Sequence, residues 1–121
     1  MVKRILIVDD EETLTFSLYQ SFILSKHPYE VVTAGSGEEA LQKFDEKPFD
    51  LIITDIFLPG ISGIDILKYI REKIPDAKVI IITAYGSEEK RNEALNNGAL
   101  LYVEKPFDII RFKQRVMEIL E

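Results

Sequence analysis

Aliphatic and polar stretches alternate five times along the 121-residue chain. The apolar runs Ile5–Val8, Leu51–Ile53 and Val79–Ile82 are unbroken and rich in β-branched residues, which predicts strands covered on both faces. Tyr29–Thr33 and Leu100–Val103 are more mixed and predict edge strands. Helical periods fill the stretches between. Leu14, Leu18 and Phe22 recur every fourth residue, Ile64, Leu67, Ile70 and Ile74 at three and four, and Ile109, Phe112, Val116 and Ile119 repeat the pattern. Ser36 with Glu39 predicts a capping box, and Ser62 with Asp65 a weaker one. Asn97-Gly98 supplies a C-terminal stop for the fourth helix. His27, just before Pro28, reads as the cap of the first helix or a loop residue, not as a phosphohistidine or metal ligand.

Strand–helix alternation with short connections specifies an α/β domain, a parallel sheet with helices on both faces. No linker, repeat or low-complexity stretch interrupts it, so residues 1–121 read as one domain. One helix stands apart. "SEEKRNEALNNGA", from Ser87 to Ala99, offers chiefly Ala94 and Leu95 for burial. The plain reading is a solvated face, and an element with so little to bury is also one that is loosely held.

Composition narrows the picture. With 46% hydrophobic and 30% charged residues the chain is of ordinary soluble type. It has no cysteine, so neither disulfides nor thiolate chemistry are available, which fits a reducing cytosol. The longest aliphatic run is too short to span a membrane, and acids interrupt the first apolar stretch too early for a signal peptide. A cytoplasmic location without membrane attachment is therefore expected. The net charge of −6 argues against direct nucleic-acid binding, which requires a basic face.

Candidate chemistry gathers where open parallel sheets place it, beyond the carboxyl ends of the strands. The first strand leads into Asp9-Asp10, the third into Asp55, the fourth into Thr83 and the fifth into Lys105 and Pro106. The second ends only in Ala34-Gly35. Carboxylates crowded at one edge repel. A pair ~4 Å apart at an effective dielectric of about 20 costs about 4 kcal/mol before any relief. Relief comes from protonating one group or from binding a cation. All-oxygen ligands with room for water suit Mg²⁺, whereas zinc is disfavoured by the lack of cysteine and a single distant histidine. Carboxylates with a metal, a lysine and a hydroxyl also form a set for phosphoryl transfer, with one aspartate as nucleophile.

The motifs "ILIVDDEE", "DLIITDIFLPGISG", "VIIITAYGS" and "YVEKPF" together resemble the receiver domain of bacterial two-component response regulators, chemotaxis regulators included, over essentially the full length. The resemblance implies a doubly wound, flavodoxin-like sheet of five parallel strands in the order 2-1-3-4-5 with five helices. It implies that Asp55 is the phosphoacceptor, served by a sensor histidine kinase or phosphotransfer domain. Asp9, Asp10, Asp55 and the Phe57 carbonyl would hold Mg²⁺, and Thr83 and Lys105 would bind the phosphoryl oxygens. Pro106 would follow a cis peptide bond, and Tyr102 would be the aromatic that turns inward as Thr83 moves. Phe57 and Tyr85, each two residues beyond a site residue, would tune loss of the phosphoryl group. A switching face on the fourth helix, fifth strand and fifth helix would recruit an output domain or partner protein, with dimerisation on phosphorylation as one form. Kinase recognition would involve the first helix near Thr13, Leu14 and Ser17.

Rival readings fit less well. A haloacid-dehalogenase-type phosphatase needs a second acid where this chain has Phe57, and a flavin-binding module needs a phosphate loop where it has Asp-Asp-Glu-Glu. A cobalamin module wants a histidine near the third strand's end. The resemblance thus implies a signalling domain rather than a turnover enzyme. "TAYGS" and "YVEKPF" are also similar to receivers attached to ATP-dependent transcription activators. A start at Met1 and an end at Glu121 fit a stand-alone protein or, alternatively, the N-terminal receiver of a longer DNA-binding regulator.

Overall fold

The computed structural model describes residues 2–26 and 29–121, so the reading of His27 lies outside the described residues. Strands β1 (Arg4–Val8), β2 (Glu30–Ala34), β3 (Leu51–Asp55), β4 (Val79–Thr83) and β5 (Leu101–Glu104) alternate with helices α1 (Glu12–Ile23), α2 (Gly37–Glu46), α3 (Gly63–Lys73), α4 (Glu88–Asn96) and α5 (Ile109–Leu120). The strands form one parallel sheet in the order β2-β1-β3-β4-β5. The two mixed strands are the edges, and the unbroken aliphatic ones lie inside.

Side-chain alternation divides each inner strand between two cores. Leu6, Val8, Ile52 and Ile81 join α2, α3 and Ala94 of α4 on one face. Ile5, Ile7, Ile53, Ile80 and Ile82 join Leu18 and Phe22 of α1 and Phe112 and Val116 of α5 on the other. Burying an aliphatic side chain of this size contributes about 1.5–3 kcal/mol, so continuous aliphatic strands are the main source of cohesion on both sides.

Helix ends follow local chemistry. Ser36 Oγ accepts from the Glu39 amide at 3.2 Å, but the return arm lands one residue early, on the Gly35 amide at 2.8 Å. Ser62, Ser87 and Asp108 cap α3, α4 and α5 in the same way. The expected stop of the fourth helix is present, with Asn97 as its C-cap and Gly98 at φ +98°. Several boundaries differ from the sequence reading. Ile74, expected in the third helix, is extended because Pro75 disfavours helical angles in the residue before it. The second and fifth strands each begin one residue later than expected, since Tyr29 turns under Phe22 in an edge-to-face contact at 6.0 Å and Leu100 is left half-exposed.

Helix α4 is as sparingly anchored as its composition suggests, with Ala94 its one buried residue. Leu67→Ala on α3, fully buried, is expected to cost about 2–5 kcal/mol in urea denaturation. Leu95→Ala on α4, 36% exposed, is expected to stay within about 0.5 kcal/mol.

Candidate functional site

The β1, β3 and β4 ends and the segment after β5 meet at one edge of the sheet. Carboxylate oxygens of Asp9, Asp10 and Asp55 all lie within 4.8 Å of one another. Asp9 and Asp55 are buried, 3% and 6% exposed, whereas Asp10 faces solvent. Between the two buried acids sits the ammonium of Lys105, 2.8 Å from Asp9 Oδ2 and 3.0 Å from Asp55 Oδ2. The second oxygen of each acid is held by its own turn. Asp9 Oδ1 accepts from the Glu11 amide at 2.9 Å, and Asp55 Oδ1 from the Phe57 amide at 3.1 Å.

These contacts decide the protonation balance. Burial raises the Asp9 pKa above its ordinary 3.8, against the lowering influence of Lys105 and the Glu11 amide. Burial alone would lower the Lys105 value, but hydrogen bonds from its ammonium to Asp9 and Asp55 outweigh it and the net shift is upward from 10.5. The crowding that called for a cation is thus met, in part, by a lysine brought in from the far end of the chain.

Lys105 reaches the acids from a loop whose Lys105-Pro106 peptide is cis, as expected. Its amide donates to the Thr83 carbonyl at 2.9 Å. Thr83 is fully buried at the end of β4, beside the strand that carries Asp55, and its hydroxyl accepts from the Tyr85 amide at 3.3 Å. Phe57 and Tyr85 come together, their rings edge-to-face with centroids 6.3 Å apart, both exposed at the mouth of the site. Tyr102 is placed elsewhere. It pairs with Ile81, on the sheet face that α4 covers, with its ring against that core. Its hydroxyl is buried without a well-formed hydrogen bond, and burial raises its pKa above 10.0. On α1, Thr13 is exposed while Leu14 and Ser17 are half-buried. Leu14 helps line a hollow of about 310 Å³ with Ala84, Lys105, Pro106, Phe107 and Ile109.

One site residue escaped the sequence reading. A Cβ at Gly63 would lie 1.9 Å from the carbonyl oxygen of Asp55, and the Gly63 amide donates to Ile56 O at 2.8 Å. The start of α3 is thereby pressed directly onto the backbone that carries Asp55. The signal was the second glycine of "PGISG", which no turn rule demanded.

The donor set suits a hard cation. Three carboxylates from two strand ends, without nitrogen or sulfur, match the oxygen-only preference of Mg²⁺, and the exposed Asp10 leaves an approach from solvent.

A family profile described as the response regulator receiver domain matches residues 5–117. The chain is 38% identical over 99% of its length to the alkaline phosphatase synthesis transcriptional regulatory protein PhoP of Bacillus subtilis, of which it spans 49%. It is 36% identical over 99% of its length to sporulation initiation phosphotransferase F of the same organism, of which it spans 95%. Among solved structures, a CheY-like receiver domain protein from Methanospirillum hungatei superposes with a TM-score of 0.93 at 34% identity, over 99% of this chain and 94% of that one.

A pH effect follows from Asp9. Its folded pKa lies above 3.8, so the folded state binds its proton more tightly and stability falls as pH rises from 3.8 through the folded value. Lys105→Met withdraws the hydrogen bond and the positive charge that lower that value, and leaves burial and the Asp55 charge opposed only by the Glu11 amide. Asp9 is then expected to titrate higher still, as read by carboxyl ¹³C NMR titration.

Proposed function

The chain belongs to the response regulator receiver domain family, whose members are phosphoacceptor signalling domains, and on that premise we propose that Asp55 is the residue that takes the phosphoryl group. The observation that carries this assignment is the Lys105 ammonium held between Asp9 and Asp55 at the mouth of the sheet. Asp55 joins that cluster as the last residue of an inner strand, with its backbone fixed by α3 through Gly63.

The chain's own groups divide the work. One Asp55 oxygen attacks phosphorus in line, and the bond from phosphorus to the donor's histidine nitrogen breaks as that nitrogen keeps the electron pair. Lys105 offsets the charge on the transferring oxygens, and Thr83, on the neighbouring strand, donates its hydroxyl to one of them. Asp9, Asp10 and Asp55, with the Phe57 carbonyl, are the residues that hold Mg²⁺, which when bound supplies further positive charge to the phosphoryl oxygens. The donor is a histidine kinase or phosphotransfer domain, and its docking surface includes Thr13, Leu14 and Ser17 of α1, next to the hollow that runs to Lys105. The response passes through Thr83 and Tyr102 to α4, β5 and α5, where an output domain or partner protein reads it. Relatives supply both settings: one matched protein is a transcriptional regulator about twice as long, the other a phosphotransferase of similar length. Among the described residues no helix is long and apolar enough to cross a membrane.

Incubation with acetyl phosphate and Mg²⁺ is expected to add one phosphoryl mass to the intact protein. Asp55→Asn or chelation of the metal is expected to abolish the adduct, and an unchanged adduct in Asp55→Asn would refute the assignment. Phe57 and Tyr85 together screen the site from water, so Phe57→Asn should shorten the half-life of the adduct severalfold, followed by the same mass measurement over time.

A further inference from the structure

The segment between β4 and α4, "AYGS", brings Gly86 against the ring of Tyr102. A Cβ built on Gly86 would lie 2.3 Å from the Tyr102 hydroxyl oxygen, 3.2 Å from Cζ of the same ring and 3.2 Å from the Thr83 Cγ2 methyl. Its backbone gives no other reason for glycine. The left-handed glycines among the described residues are Gly60 and Gly98, and Gly86 is not one of them. The space is therefore taken up by Tyr102 alone at the closest point, with the Thr83 methyl a few tenths of an ångström inside ordinary contact. The Tyr102 hydroxyl is buried without a well-formed hydrogen bond, its polar contact there being a loose one with the Ser87 backbone.

We propose that Gly86 is the positioning residue that admits Tyr102 to its inward seat, and that any side chain at position 86 turns the ring out toward solvent. The proposal rests on the reading of Thr83 and Tyr102 as the path from the site to α4. It adds that the path has a steric gate on the loop between them. Alanine at 86 fits the backbone and spares Asp9, Asp55 and Lys105, so it separates ring placement from phosphoryl acceptance. Helix α4, with one buried residue, follows that loop directly and is free to respond to it.

The test is ¹⁹F NMR of protein labelled with 3-fluorotyrosine, with a soluble paramagnetic agent reporting ring exposure. The Tyr102 signal is assigned as the one missing from Tyr102→Phe. In the wild type it is expected to be shielded, while that of Tyr85, 78% exposed, is strongly broadened. In Gly86→Ala the Tyr102 signal should broaden severalfold, to the level of Tyr85; a signal that stays shielded overturns the proposal. Should Gly86→Ala fold poorly, the double-mutant cycle with Tyr102→Leu decides. The loss of stability caused by Gly86→Ala should largely vanish in the Tyr102→Leu background, and an equal loss in both backgrounds overturns the proposal. Intact mass after acetyl phosphate treatment is recorded for wild type and Gly86→Ala. Absence of an adduct from the wild type would sink the Asp55 assignment and leave the ring result standing.

Discussion

Like-charge repulsion at one end of a parallel sheet sets the terms for this molecule. Asp9 and Asp55 are delivered to the same point by adjacent strands and are taken out of water there. Such a pair survives burial when one group is protonated or an opposite charge is held between the two. Here that charge is Lys105. It follows directly on the end of β5, precedes a cis peptide, and is anchored by its own amide to the Thr83 carbonyl. The fold brings residues 9, 55 and 105 together at short range, and the ion pairs in turn tie the first, third and last strands at their common edge.

The same arrangement makes the site chemically poised. A lysine that bridges two carboxylates stands within reach of an anion that arrives at either of them. On the proposed assignment, no large rearrangement of the chain is needed to bring that ammonium to an incoming phosphoryl group. Burial and hydrogen bonding oppose each other at Asp9, where burial prevails, and again at Lys105, where the contacts with Asp9 and Asp55 together prevail.

Much of this was legible in the sequence because strand periodicity and strand-end position are local properties. Continuous aliphatic runs marked the inner strands, and the residues just beyond them marked the site: Asp9, Asp10, Asp55, Thr83 and Lys105. The parts that were not legible depend on contacts between distant segments. Nothing in "YVEKPF" alone says that the lysine bridges two acids, and the sequence reading considered only protonation or a metal as relief. The parts played by Gly63 and Gly86 were not legible either, since what excludes a side chain is in one case the Asp55 carbonyl and in the other a ring sixteen residues further on. Strand boundaries slipped by one residue where Tyr29 and Leu100 satisfied the hydrophobic pattern just ahead of the first paired residues, Glu30 and Leu101.

The division of the inner strands between two apolar layers has a consequence for how such a chain diversifies. Residues on the α1/α5 side and on the α2–α4 side share no packing partner, and the sheet alone lies between their two cores. Substitutions on opposite sides therefore add rather than couple. A lineage is free to redraw the α1 surface for a new donor while the core beneath α4 keeps its packing, and the reverse change is equally open, with α5, which packs beside α1, the element where the two demands meet. Pathways built on this scaffold can be rewired one face at a time, without passing through an intermediate that has lost both input and output.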